Sequence, residues 1–429
     1  MDTSYLNKFY KKALPEKLEA LRDSKAISPE DFEQLKAETL ALPVEVASEM
    51  IENYILNYEL PFGVAMNYVI DGKERLIPMV TEEPSVIAAA SNSGKMIAQS
   101  GGFQTEMKER LLIAQVALKN VPDIQKAEEA VLAKEAELIE LAHAAHPSIL
   151  NYGGGARRVE VRVLPADEEY DTPEFFVVHL SVDTGEAMGA NIVNTMAEAL
   201  APYLEELTGG ESLMNILSNY STSSLVTVTC SIDPQYLATP KMDGETVRDR
   251  IIEGTQFALV DPYRAVTHNK GIMNGIDAVL VATGNDWRAV EAGVHAYASK
   301  SGQYRALSRW TKDADGNLRG ELTIPLSVGS VGGTLSIHPS AQFAYRLLGE
   351  PNARDLSSIL ACVGLAQNLA AIRALVTDGI QKGHMSLQAR ALAIRVGAEG
   401  DQIEQVASQL QKAKHMNSET AKYILENLK

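Results

Sequence analysis

The sequence predicts an α+β protein: a large mixed domain around a buried central helix, a small α/β domain inserted into it, and a helical C-terminal flap. Three observations carry this. Asp355 to Thr377 is apolar nearly all round, broken only by Gln367, Asn368 and Arg373, and such a helix must be enclosed by a large domain. Residues 109–219 alternate strand-like runs with amphipathic stretches, punctuated by Gly153-Gly154-Gly155 and Gly209-Gly210. Past Asp378-Gly379 the composition turns polar and helix-forming. The expected divisions are 1–108 and 220–377 for the large domain, 109–219 for the insert and 378–429 for the flap.

Composition narrows the function. The 429 residues are 45% hydrophobic, enough for more than one core. Lys and Arg number 39 against 56 Asp and Glu, a formal charge of −17. That argues against nucleic-acid or anionic-membrane partners, which would repel the chain. The two cysteines, Cys230 and Cys362, sit in apolar segments, and neither a disulfide framework nor a metal-binding spacing exists, so no metal is expected. The N-terminus lacks an apolar signal region, and no apolar run approaches the roughly 20 residues of a membrane span. A cytoplasmic protein with no membrane partner is expected.

In chain order, Lys8, Lys11 and Lys12 surround Phe9 and Tyr10 as a solvated arm, or as a basic arm reaching anionic phosphates. Ser28-Pro29-Glu30-Asp31 starts a helix, with Ser as cap and acids at the positive dipole end. A second helix is expected over Val44 to Leu56. Ala65 to Val80 reads as a hairpin around Asp71-Gly72. Its second strand delivers Thr81-Glu82-Glu83-Pro84-Ser85, with Pro84 at the start of a small-residue helix. In the insert, LLIAQVAL is a strand and DIQKAEEAVLAKEAELIELAHAA one long amphipathic helix. Val159–Val163 and Phe175–Val182 are strands, and a helix runs on to about Leu207. Leu225–Ile232 is a strand, Gly244–Leu259 a helix, and Thr323–Val331 a strand before Gly332-Gly333. Met385–Val396, Gly400–Ala413 and Ser418–Asn427 are expected as three short helices hinged near Gly379, a plausible closing flap.

The most polar stretch among apolar runs is Asp261 to Ala292. Arg264, Thr267, His268, Asn269, Lys270 and Asn274 come first. Ile276 to Thr283 then reads as a short buried strand, closed by Gly284, Asn285 and Asp286. Charged groups beside apolar runs are costly to bury unless paired. They form either a structural ion-pair network or a site in which a lysine faces developing negative charge. No GxGxxG or GxxxxGK[ST] occurs, but DTGEAMGANIVNT places a small-residue loop before a helix, where free N–H groups can cradle phosphate.

DPYRAVTHNKGIMNGIDAVLVATGNDWRAVEAG resembles the signature region of hydroxymethylglutaryl-CoA (HMG-CoA) reductase in its class II bacterial form. The resemblance extends through ENYILNYELPFGVA, EEPS, EAMGAN and LAQN, from about residue 42 to residue 395. Two departures show: Asn57 and Tyr58 where many members have a Gly, and Glu186 in place of the leading Asp of DAMGAN.

The resemblance implies catalytic roles for Glu83, Lys270, Asp286 and His384, and substrate contacts from Ser85, Arg264, Asn274 and Asn368, with Lys11 a looser match. Asn368 can equally be a satisfied core amide. The cofactor loop would be Glu186, Ala187, Met188, Gly189, Ala190 and Asn191, with Asn219 near the nicotinamide. The implied reaction reduces HMG-CoA to mevalonate and CoA with two nicotinamide hydrides, in isoprenoid precursor synthesis. Alternatives are mevalonate oxidation and a non-catalytic acyl-CoA-binding relative. The family further implies a homodimer with a shared site, and trimers of dimers in this class. An aspartate next to the cofactor ribose marks NADH users; ungapped alignment puts His146 there, with Arg157 and Arg158 nearby. NADPH is therefore expected over NADH.

Overall fold

The computed structural model describes residues 1–377 and 379–428, and within the helix over 380–395 its side chains from 388 onward. The chain opens with 3-10 turns over Thr3–Leu6 and Phe9–Lys11, then α1 (Leu14–Asp23) and α2 (Pro29–Lys36). The Ser28 hydroxyl accepts from the Asp31 amide at 3.0 Å, and Asp31 accepts in return from the Ser28 amide at 3.2 Å, a closed capping box. α3 covers only Val44–Met50, not the span to Leu56: Ile51 is already extended and Asn53 is left-handed at φ 54°. β1 (Phe62–Ile70) and β2 (Lys73–Val80) pair as the expected hairpin, with Asp71 and Gly72 at φ 48° and 76°. α4 (Val86–Ala98) begins two residues after Pro84. β3 (Gln104–Met107) follows.

β4 (Leu112–Lys119) leads into α5 (Ile124–Ala133) and α6 (Glu135–Ala145). One continuous helix was expected here, but Lys134 at φ −104°, ψ 13° breaks it. β5 (Gly155–Leu164), β6 (Phe175–Asp183), α7 (Ala190–Thr208) and β7 (Glu211–Ser218) complete a four-stranded antiparallel sheet in the order β5-β6-β4-β7. β7 has no clear sequence signal, because its side chains are exposed or half-buried on both faces and the alternation of a strand is absent. Leu118, Leu138, Val178, Leu180, Met196 and Leu200 are fully buried in the core beneath this sheet.

β8 (Leu225–Ile232), α8 (Gly244–Val260), α9 (Pro262–Ala282), α10 (Trp287–Ala298), β9 (Ser308–Lys312), β10 (Leu318–Pro325), α11 (Pro339–Leu347) and α12 (Ala353–Val376) follow. The second sheet, order β3-β8-β10-β9, is also antiparallel throughout, as α+β requires. Two expectations are corrected. Ile276–Thr283 is no strand; it continues α9 for its last two turns. A short apolar run fits a buried helix as well as a buried strand, and here Ile272, Met273, Ile276, Val279 and Leu280 are buried at helical spacing. The strand expected over Thr323–Val331 starts earlier and ends at Pro325. From there residues 326–331 run as an irregular strap, closing with an isolated bridge between Ala187 and Val331. α12 is also long and apolar enough to cross a membrane by composition, contrary to the sequence reading, yet most of its residues are buried in the core. The chain ends in α13 (Ile380–Arg395), α14 (Asp401–Leu410) and α15 (Ser418–Glu426), which share a small core of Ala389, Ala393, Val406, Ala407, Leu410 and Ala421. Gly379, at φ 83°, turns the chain into α13.

α9 and α12 cross at close range because glycine stands at the contact on both. A Cβ on Gly275 would lie 3.0 Å from the Gln367 Cβ and 3.2 Å from the Val363 carbonyl oxygen; one on Gly364 would meet Ile276 at 2.8 Å. The approach buries Ile272, Ile276, Leu360 and Val363 together. Gly275→Ala should therefore destabilise the protein by about 1–2 kcal/mol, because overpacking against a fixed carbonyl outweighs the gain of up to about 1 kcal/mol in helix propensity. Urea unfolding of both proteins measures this; an unchanged or higher midpoint would remove the crossing as a constraint.

Candidate active site

α9 presents two faces. The inner face carries Ile272, Ile276 and Val279 into the core; the outer face carries Lys270 and Asn274. Opposite stands Glu83, in the turn where β2 gives way to α4, its amide bonded to the Thr81 hydroxyl at 3.1 Å. The Lys270 Nζ donates to Glu83 Oε2 at 2.6 Å, and Asn274 Nδ2 donates to Oε1 at 3.2 Å. Lys270 is 57% exposed and Glu83 36%. The pair thus lies open on one side, where a ligand can reach both ends. Two residues on, Ser85 caps α4 in a left-handed conformation at φ 74°, and no side-chain bond holds its hydroxyl. A non-glycine residue there is strained, and strain of this kind concentrates at functional sites.

Arg264 lies in the first turn of α9, whose amide is capped by Asp261 at 3.0 Å. Among the described residues no carboxylate pairs with its half-buried guanidinium, and burial lowers its pKa. An unpaired, partly desolvated guanidinium is a ready partner for a ligand carboxylate. One turn along, His268 is buried with Asn368, Ser308 and Trp310. The indole of Trp310 can only donate, and does so to Asn368 Oδ1 at 2.8 Å. The amide nitrogen of Asn368 therefore faces His268 Nε2 at 3.0 Å, and the Ser308 hydroxyl lies 2.6 Å from the same nitrogen. Burial first, and the Arg264 charge second, push this histidine down to about 3. Asn368, 1% exposed, has the bonding of a core amide, the second of its two expected readings: its oxygen accepts from Trp310 and Ser308.

Asp286 also departs from expectation. It makes no ion pair with Lys270; its carboxylate caps α10 by accepting from the Ala289 amide at 3.0 Å, with Arg288 at 4.0 Å. The side chain of His384 lies outside the described residues. Lys11 is exposed in the second 3-10 turn, its ammonium 5.8 Å from the Tyr10 ring. The arm is not loose, because Leu6 is buried against Leu21, Leu76 and Phe343.

The dinucleotide loop lies between β6 and α7. Gly189 begins α7 at φ 95°, and a Cβ there would lie 2.2 Å from Thr184. No side chain caps α7 and its first turn has no acid, so the amides at Ala190 and Asn191 suit a phosphate. Met188 and Asn219 meet across a void of about 10 Å³, lined also by Ala289 and Gly293 of α10. Glu186 does not face this void. Its carboxylate accepts from the Ser330 hydroxyl and from the Ala353 amide at 2.7 Å, both within the protein itself. The loop is also gripped by Arg110, a residue that nothing in the sequence marks out. Its buried guanidinium donates to Gly185 and Ala187 carbonyls at 2.6 and 2.8 Å and to that of Val328. His146 is half-buried between α6 and the following turn, with the Ser148 hydroxyl 3.4 Å from Nδ1. Arg157 and Arg158 already have carboxylate neighbours, Asp183 at 3.5 Å and Glu109 at 3.4 Å.

One turn beyond Asn274, Asp277 faces Glu291 of α10. Glu291 pairs with His295 Nε2 at 2.6 Å, and His295 Nδ1 meets the Tyr304 hydroxyl at 2.7 Å. Burial, then the Glu291 carboxylate, raise Asp277 far above the usual carboxyl range. The folded state thus keeps a proton that the unfolded chain releases above about pH 4. Stability from this group is fullest below that pH and falls as pH rises towards the folded pKa. Asp277→Asn should stabilise the protein, with a larger rise in Tm at pH 8 than at pH 5; equal Tm shifts at both pH values would exclude the bound proton.

A family model described as hydroxymethylglutaryl-coenzyme A reductase matches residues 13–389. The 3-hydroxy-3-methylglutaryl-coenzyme A reductase of Archaeoglobus fulgidus is 42% identical over 423 residues, covering 98% of this chain and 94% of its own. A probable enzyme of the same name from Borreliella burgdorferi is 35% identical, covering 88% of this chain and 84% of its own. Among solved structures, the Streptococcus pneumoniae reductase superposes with a TM-score of 0.84 at 47% identity, over 99% of this chain and 100% of that one. A class II reductase from the same organism, bound to NADPH in open conformations, gives 0.83 at 47% identity, over 97% and 99%. With the Lys270–Glu83 pair at the heart of that shared fold, the chain belongs to the hydroxymethylglutaryl-coenzyme A reductase family in its class II form and is an NAD(P)H-dependent oxidoreductase.

Proposed function

We propose that this reductase converts HMG-CoA to mevalonate and CoA in two reductive steps, and that Lys270 and Glu83 carry both. The observation that carries the reading is the 2.6 Å contact between an ammonium and a carboxylate that remain open to a ligand. The bound nicotinamide supplies one hydride at each step. When the thioester carbonyl is reduced, its oxygen becomes an alkoxide. The Lys270 ammonium, fixed on a rigid helix, meets that charge without reorganising. Glu83, held from its other side by Asn274, delivers the proton. Collapse of the hemithioacetal expels CoA as thiolate, for which His384 is the donor; an imidazole's pKa near 6.5 suits proton delivery at neutral pH. The second reduction reuses Lys270 and Glu83 on the aldehyde. Arg264 and Ser85 orient the free carboxylate of the substrate, and Lys11 contacts the CoA phosphates.

We infer a homodimer as the assembly, with a trimer of dimers as the higher form, joined through a second surface. Ile51, Ile55, Leu56 and Tyr58 lie exposed after α3, and Phe257, Val260, Tyr263 and Val266 are exposed around the α8–α9 junction. Two such apolar patches, the second on the helix that holds Lys270 and Arg264, suit burial against a second copy.

Lys270→Ala should lower kcat by at least about 10²–10³-fold while leaving cofactor Kd unchanged. Nicotinamide absorbance with HMG-CoA follows turnover, and a near-normal rate would remove Lys270 from the mechanism.

Cofactor choice favours NADPH. His146 brings no negative charge to the ribose, and a 2′-phosphate would share Arg157 and Arg158 with their carboxylates. Wild type should show the higher kcat/KM with NADPH, and His146→Asp should shift the ratio towards NADH by about tenfold, the scale of one lost charge contact. A wild-type preference for NADH, or an unmoved ratio in the variant, would place specificity elsewhere.

A further inference from the structure

The carboxylate of Glu186 is spent on the protein itself, although its position in the loop sequence suggests a ligand contact. Three further contacts join the same two segments, loop and strap. The Ser330 amide donates to the Glu186 carbonyl at 2.8 Å, Ala187 bridges Val331, and Gly329 comes so near that a Cβ there would lie 2.6 Å from the Met188 amide. The strap over residues 326–331 is thereby fastened to the dinucleotide loop. The same strap is fastened at a second point: the Gly329 amide donates to the Asn285 side chain at 2.8 Å. Asn285 immediately precedes Asp286, whose carboxylate starts α10. The second hydrogen bond to the Glu186 carboxylate comes from the first residue of α12, the core helix that crosses α9.

We propose that Glu186 is a positioning residue: through Ser330 and the Ala353 amide it latches the dinucleotide loop to the strap that carries the Asp286 turn and to the start of α12. The loop's place relative to Lys270 is then set by the large domain and not by its own sheet. Glutamate suits this because its stem carries the carboxylate out to the neighbouring segment, where Ser330 and the Ala353 amide meet it. Arg110 acts from the other side. It gathers the carbonyls of Gly185, Ala187 and Val328, so the loop and the strap share one buried cation. Such a latch affects cofactor binding by holding the amides of Ala190 and Asn191 in their binding arrangement before the cofactor arrives. It does not touch the reacting atoms.

This inference rests on the loop being the cofactor site, so the test separates the two. NADPH affinity of the full-length enzyme is measured by fluorescence for Glu186→Ala, Glu186→Gln, Ser330→Ala and Gly189→Ala, with KM and kcat for both substrates. Glu186→Ala should weaken NADPH binding about tenfold and raise its KM in parallel, with kcat within threefold and KM for HMG-CoA unchanged. Glu186→Gln retains the length and an acceptor oxygen and should bind within threefold of wild type. Ser330→Ala, which removes one of the two bonds, should fall between, and it remains informative if Glu186→Ala fails to fold. Unchanged NADPH affinity in Glu186→Ala and Ser330→Ala, a Glu186→Gln variant as weak as alanine, or parallel losses for both substrates would each overturn the latch. Gly189→Ala, whose new methyl collides with Thr184, should weaken NADPH in any case. If it does not, the loop is not the cofactor site and the reading beneath the latch fails with it.

Discussion

The close crossing of α9 over α12 is the constraint on which the site depends. Glycine at 275 and 364 lets the helices approach until side chains of one touch the backbone of the other. That contact fixes the rotation of α9 about its axis. Once Ile272, Ile276 and Val279 are committed to the core, Lys270 and Asn274 have only the outer face available. Glu83 is set independently, by the end of β2 and the strained start of α4. The 2.6 Å contact between Lys270 and Glu83 therefore reports on two rigid elements meeting, and not on two flexible side chains finding each other.

An ion pair this exposed contributes little to stability, on the order of 0–1 kcal/mol. Folding energetics do not explain why such a pair stands two residues from a left-handed serine. What the geometry does show is that both members of the pair stay within reach of a ligand. Asp277 shows the contrast. Two turns along the same helix, a carboxyl buried beside Glu291 holds its proton and locks α10 to α9. One helix thus carries an accessible ion-paired group and an enclosed protonated carboxyl.

Much of this was legible in the sequence, for identifiable reasons. The hairpin turned where Asp71-Gly72 dictates, and α12 was readable because an all-round apolar helix has only one stable place. Lys270 and Glu83 were legible as candidates from their polar surroundings and from the family resemblance. What was not legible depends on contacts distant in sequence. The last turns of α9 read as a strand because a short apolar run has no period of its own. β7 was invisible because neither face is cleanly buried. Asn368 carried two readings, and only the donor-only indole of Trp310, 58 residues away, decides that its oxygen faces inward. Asp286 caps α10, a contact invisible in the resemblance, since a side chain that satisfies a helix end finds its partner within one turn.

The position of Glu186 shows why motif identity and side-chain role separate. Ala187 to Asn191 keep the small residues that a phosphate-cradling turn needs, and backbone geometry alone fulfils that need. The side chain at 186 is under no such demand. Its Oε2 is taken up instead by Ser330 and the first amide of α12. The loop keeps its chemistry from its backbone and takes its location from the large domain. The strap over residues 326–331 has almost no regular structure because its donors and acceptors are spent on Glu186, Arg110 and Asn285 instead of on a neighbouring strand. Ending β10 at Pro325 is what releases those groups, since strand pairing carried further would have claimed the same amides and carbonyls for the sheet.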